Sequence, residues 1–287
     1  MSLNSVNTNM GAMVALQSLE STQSQLAITQ KQISTGYRVA DSTDDGAAYA
    51  IAQAVRSNVG ALTSANQQLG NTQGLLQTTQ TALNNVSNTM ASMRDVLVHL
   101  SDSSLTSTQI SDYQTQYSQL LKNVRNDLID STYNGKSLIG DLKASNGTTG
   151  TASGLAIPID ESGNTYGVAS YSGSALYASL AKFSTASGAT AVGFLDTTTA
   201  SGGLSFLQND LATQLNKIGS SINFVNNQTT YNNNKIDALN SGLGSLVDAD
   251  LAKESAQLTA LQIRQQLGTQ ALSLANQAPQ SLLSLFK

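Results

Sequence analysis

Residues 46–100 read GAAYAIAQAVRSNVGALTSANQQLGNTQGLLQTTQTALNNVSNTMASMRDVLVHL, and their periodicity decides the fold. Val55, Leu62, Leu69, Leu76, Leu83, Met90 and Leu97 recur at a seven-residue spacing, and all are apolar. Ile51, Ala65, Val86, Met93 and Leu100 form a second row, interrupted by Asn58, Thr72 and Thr79. No proline breaks the run, so the pattern predicts one continuous helix of about 80 Å. A single apolar seam on so long a helix requires partner helices along its length. Gly70 and Gly74 within it are expected to permit close helix approach.

Working outward, Ile110, Tyr113, Tyr117, Leu120, Val124 and Leu128 alternate at three and four and predict a further helix, capped by Ser107 or Thr108. Tyr133-Asn134-Gly135-Lys136 is a hairpin turn signal, because Asn-Gly tolerates the positive φ of a type I′ turn. The three-four register returns at Leu204, Leu207, Leu211, Leu215, Ile218, Ile222 and Val225, and again at Ile236, Leu239, Leu243 and Leu246. Thr229 and Asn232 hold a polar gap between the two runs. In the last segment Leu251, Leu258, Leu261, Leu272, Leu282 and Phe286 continue the pattern.

The first 40 residues carry a weaker helical pattern, with Ala12, Leu19, Leu26, Ile33 and Ala40 at seven-residue spacing. So thin an apolar stripe is expected to order only against a partner. Residues 34–46 break the periodicity, and Asp44 or Asp45 is placed to cap the helix that follows. Residues 141–203 differ in character, holding ten of the 22 glycines among dense Ser, Thr and Ala. Short alternating pieces at 155–159, 166–171 and 190–195 predict a small, partly β insertion. The fold expected is mainly α: a long antiparallel helical bundle or coiled coil built from the N- and C-terminal regions, with that insertion at its centre.

Composition narrows the chemistry. Charged residues are 11% of the chain, against about 25% in ordinary globular domains. The formal charge of −4, with no basic stripe, argues against nucleic acid as a partner. Zero cysteine excludes disulfides, zinc–thiolate sites and thiol nucleophiles. The one histidine, His99, has no metal-spaced or acidic companion, and no Gly-rich phosphate loop or Walker lysine exists. Asp41, Asp44 and Asp45 lack the ligand spacing of a calcium loop. No enzyme, cofactor or metal site is therefore expected. No secretory signal peptide is expected either, since the first basic residue is Lys31, and no run is long enough to insert in a membrane.

Two stretches carry a family resemblance. ISTGYRV at 33–39 with TDDGAAYAIA at 43–52 is similar to the "SxG" and "DDAAG" region of bacterial flagellins, although the usual Ala-Ala-Gly order is Gly46-Ala47-Ala48 here. VDADLAKESAQLT at 247–259, QALSLAN at 270–276 and LLSLF at 282–286 resemble that family's C-terminal signature. The resemblance covers roughly residues 1–140 and 204–287. It implies a structural subunit that polymerises into the bacterial flagellar filament for swimming motility, exported unfolded by the type III apparatus to the cell exterior. Residues 1–44 and 246–287 would be terminal helices forming the inner filament core. Residues 45–140 and 204–245 would form a surrounding helical bundle with a hairpin near 133–140, and 141–203 a variable exposed insertion. Implied partners are further flagellin copies, a filament cap protein, a hook-junction protein and an export chaperone. The α-helical seam residues from Val55 to Leu97 and from Leu251 to Phe286 are then assembly candidates, with Asn58, Thr72 and Thr79 expected to mark where the seam meets a neighbouring subunit.

Many flagellins carry a Gln-Arg-x-Arg-Glu-Leu run bound by the flagellin-sensing Toll-like receptor of animals. The matching positions here are Ala91, Ser92, Met93, Arg94, Asp95 and Val96. Ser92 replaces the first Arg and removes a multi-donor cation, so weak receptor recognition is expected. Two other readings are a hook–filament junction protein and a secreted coiled-coil adhesin or effector acting through 141–203.

Overall fold

The computed structural model describes residues 9–139, 142, 154–195 and 203–285, with only the backbone described from 278 onward. The elements are α1 (Met10–Thr35), α2 (Gly46–Leu100), α3 (Ser107–Asp130), β1 (Leu155–Pro158), β2 (Thr165–Val168), α4 (Gly173–Ala181), a 3-10 turn (Lys182–Thr185), α5 (Ala189–Leu195), α6 (Leu204–Val247) and α7 (Leu251–Leu285). The chain is mainly helical, with a small sheet in the central insertion. It divides into two compact units, one of residues up to Asn58 and from Asp237 onward, the other Val59–Ile236.

The second unit is organised by the heptad row. Leu62, Leu69, Leu76, Leu83, Met90 and Leu97 are all fully buried. From Leu69 onward they share one core with Tyr117, Val124 and Leu128 of α3 and Leu207, Leu211, Ile218 and Val225 of α6. α2 and α6 run antiparallel here: Gln73 donates to Asn226 and Asn66 to Asn233, each at 2.8 Å. β1 and β2 pair antiparallel from Leu155–Val168 to Pro158–Thr165, and inward-facing Ile157 and Val168 join the same core.

Several local features differ from the sequence expectation. Thr106, not Ser107 or Thr108, caps α3, because only Thr106 has a glutamine three residues on to close a reciprocal capping box with Gln109. Residues 190–195 belong to helix α5 instead of a strand. Tertiary packing decides this: Phe194 meets Phe183 at 4.4 Å, and the Gly188 N–H donates to the Leu100 carbonyl. Gly74 admits an aromatic ring instead of a helix, since a Cβ there would lie 2.8 Å from Tyr133 Cζ. Gly70 faces open space. Thr72 and Thr79 are buried within their own chain, where their hydroxyls donate to the Gln68 and Leu75 carbonyls at 2.9 and 2.8 Å. Back-bonding to the preceding turn lets a threonine sit in an apolar seam without an external partner, so these two do not mark a seam open to a neighbour.

A polar network joins the β1–β2 hairpin to α2 and α6. Asn232 is fully buried and donates to Asn66 Oδ1 and the Ile159 carbonyl, both at 2.9 Å. Gln228 donates to the same carbonyl at 3.1 Å and to Asn232 Oδ1 at 3.0 Å. Lys235 pairs with Glu161 beside it. The Asn232 and Gln228 amides are tied to the Ile159 carbonyl, which fixes the hairpin's position, while Glu161 Oε2 is buried without a hydrogen-bond partner.

In the first unit, the segment between α1 and α2 is held by charge. Lys31 bridges Asp41 at 2.7 Å and Asp44 at 2.8 Å, and its ammonium holds both carboxyls below the usual range. Asp45 Oδ1 accepts from the Ala47 and Ala48 N–H groups and caps α2. Arg38 donates to the Leu246 carbonyl, and Gly36 accepts from the Ala249 N–H. Val39, Ala48, Ala52 and Val247 form a small core around these links.

Since Leu83 is completely enclosed and Leu274 is 70% exposed, truncating each to alanine separates core from free surface. Leu83→Ala should cost about 2–5 kcal/mol in denaturant unfolding of the monomer, and Leu274→Ala under about 0.5 kcal/mol.

Candidate assembly surface

α1 and α7 lie against each other in the first unit. Asn9 joins them at one end: its Oδ1 accepts from the Ala12 N–H at 3.1 Å, capping α1, while its Nδ2 donates to the Ala275 carbonyl at 2.7 Å. Further along, Leu19 packs on Gly268, where an added Cβ would stand 3.3 Å from Leu19 Cδ1. Asn9 against Ala275 and Leu19 against Gly268 therefore fix the pair as antiparallel.

The contact is thin. Over its 26 residues α1 buries only Leu19 and Thr29, with Ala12, Ala15, Thr22, Leu26 and Ile33 half-covered. On α7 Leu261 is buried, while Leu258, Leu272 and Ala275 are half-covered. Both helices also carry exposed apolar side chains: Met10, Met13, Val14, Leu16 and Ile28 on α1, and Leu251, Ile263, Leu267 and Leu274 on α7. Isolated exposed apolar residues are ordinary, but such runs along two paired helices mark a surface for a partner.

A groove of about 510 Å³ runs between the two helices, with Ser21, Thr22 and Gln25 on one side and Arg264, Leu267 and Gly268 on the other. Small residues on its floor let a further side chain enter closely.

The seam residues fall into three groups. Leu62, Leu69, Leu76, Leu83, Met90 and Leu97 are buried inside the chain, and Val55 is half-buried. Leu258, Leu261 and Leu272 face α1, whereas Leu251 is 49% exposed. Phe286 and the Leu282 side chain lie outside the described residues. In the 91–96 run Met93 and Val96 are buried, and Ala91, Ser92, Arg94 and Asp95 are exposed. Heptad spacing located the first group but not the exposed apolar residues of α1 and α7, which, Leu251 apart, lie off the rows it picks out.

Two candidate polar side chains make ring contacts. His99 stacks on Tyr113 at 5.1 Å, and Arg56 lies over the Tyr37 ring. Among the described residues, no group of three or more His, Cys, Asp or Glu is placed to hold a metal ion. No helix described is long and apolar enough to cross a membrane.

The chain matches two family models, the bacterial flagellin N-terminal helical region over residues 6–144 and the C-terminal helical region over 206–286. It is 33% identical to the flagellin FljM and 34% identical to the flagellin FljK of Caulobacter vibrioides, in each case over 100% of both chains. A flagellin of Brucella melitensis is 31% identical over 99% of each. The segments matched by the family models contain the paired helices α1 and α7 and the heptad row of α2. With its full length aligned to these relatives, the chain belongs to the bacterial flagellins, the structural subunits that polymerise into the extracellular flagellar filament.

Proposed function

We propose that the terminal helices, residues 1–44 and 246–287, form the inner core of that filament and gain their full stability only there. The observation that carries this is the contrast within one chain: α2 encloses its seam internally, while α1 and α7 leave an apolar face uncovered. A helix with so little buried area does not offset the entropy of ordering by itself. Neighbouring copies would supply the missing contact through a head-to-tail interface, which builds an open filament instead of a closed ring.

On this reading residues 45–140 and 204–245 form the surrounding layer, and 141–203 the outer surface. The thin α1–α7 contact also suits export as an unfolded chain, with a chaperone holding the C-terminal segment until a cap protein receives it. A hook-junction protein would present equivalent helices at the filament base. The chain acts as a structural subunit without catalysis, a reading supported by its membership of a structural family.

The exposed pair Arg94 and Asp95 offers a receptor only part of the family's binding run, because Ser92 supplies no guanidinium. Purified monomer should activate a flagellin-sensing Toll-like receptor reporter weakly or not at all; potent signalling would contradict this. Deleting residues 271–287 should leave a folded, soluble monomer that fails to extend sheared filament fragments. Normal filaments grown from that truncation, seen by electron microscopy, would refute the core assignment.

A further inference from the structure

Long stretches of the paired terminal helices are almost free of charge. Between Met10 and Gln30 the only ion is Glu20, and between Ser255 and Leu285 the only ion is Arg264. Of the other charges near them, Lys31 pairs with Asp41 and Asp44 and Arg38 donates to the Leu246 carbonyl, while Lys253 and Glu254 lie in the first turn of α7, at the far end from Ala275. Among the described residues neither Glu20 nor Arg264 has an ion-pair partner, and both are exposed.

Geometry keeps them from meeting within one copy. Leu19, Thr22, Leu26 and Thr29 turn toward α7. Glu20, one residue past Leu19, is rotated about 100° round the helix. It shares a stripe with Leu16 at i−4 and Met13 at i−7, both exposed, at 46% and 61%. Glu20 thus sits within the free apolar face of α1. Arg264 stands at the edge of the α1–α7 groove beside Leu267, which is 58% exposed. Each ion is embedded in a surface that a neighbouring molecule must cover.

Covering an apolar stripe removes water from any ion within it, and a lone desolvated charge is strongly unfavourable. An opposite charge brought to the same place restores the balance and fixes which faces may meet. We propose that Glu20 of one copy pairs with Arg264 of a neighbouring copy, seating the outer face of α1 against the α7 side of the next groove. The occupant of that groove is therefore a second copy of this chain. The pairing rests on the inner-core reading above and adds a register to it: apolar stripes alone can slide, whereas one ion pair per contact selects a single offset. It is a heterologous contact, as an open polymer requires.

The test is a charge swap. Purified wild type, E20R, R264E and the double variant E20R/R264E are seeded with sheared filament fragments, and the critical concentration is read by sedimentation and electron microscopy. Each single reversal should raise the critical concentration about ten-fold or more, and the double variant should return it to within about three-fold of wild type. The neutral pair Glu20→Gln and Arg264→Gln gives a second cycle without reversed charges, in which the combined loss should be smaller than the product of the single losses. If wild type extends seeds and the singles do so equally well, or if the double recovers nothing, the ion pair is wrong while the core reading stands. If wild type fails to extend seeds at all, the core reading falls and takes the pair with it.

Discussion

An apolar stripe on a helix must be covered, and this chain meets that requirement in two ways. The stripe of α2 is enclosed by α3, α6 and the hairpin, with Leu69 through Leu97 at zero exposure. The stripes on the outer faces of α1 and α7 are left open by their own chain. One molecule therefore contains a finished core and an unfinished one. The finished core lets the monomer exist as a folded object; the unfinished one gives it a reason to associate.

The two regions also differ in how they handle polarity. Inside the second unit, polar groups are answered locally: Thr72 and Thr79 bond back to their own helix, and Asn232 is satisfied by Asn66, Gln228 and the Ile159 carbonyl. On α1 and α7, Glu20 and Arg264 stay unanswered among the described residues, in surfaces otherwise poor in charge. Low charge density makes the few ions that remain disproportionately directive, because each must find its counterpart when water leaves. Specificity of packing can then rest on very few side chains.

Much of this was legible in the residues alone. Seven-residue spacing identified α2 because a helix returns to the same face every two turns, and of the two carboxylates that the sequence offers as caps, Asp44 and Asp45, it is Asp45 that reaches the first free N–H groups. The signature stretches at 33–52 and 247–286 identified the family, which the relatives then established along the full chain. The missed features depend on contacts distant in sequence. α5 looked like an alternating strand until Phe183 met Phe194, and the polar gap at Asn232 looked like a break in a seam until Ile159 was seen to fill it. Thr72 and Thr79 looked like openings because a sequence pattern records polarity, not where a hydroxyl turns. The free faces of α1 and α7 were the hardest to read, since their apolar residues lie off the heptad row and only burial shows which row is already covered.

The measurement that tests this most directly is amide hydrogen exchange compared between monomer and seeded filament. The amides of residues 10–35 and 251–277 should exchange quickly in the monomer and become strongly protected in the filament, while residues 69–97 stay protected in both. Equal, slow exchange of both terminal helices in the monomer, or no gain in protection on assembly, would contradict the claim that neighbouring copies complete the core this chain leaves open.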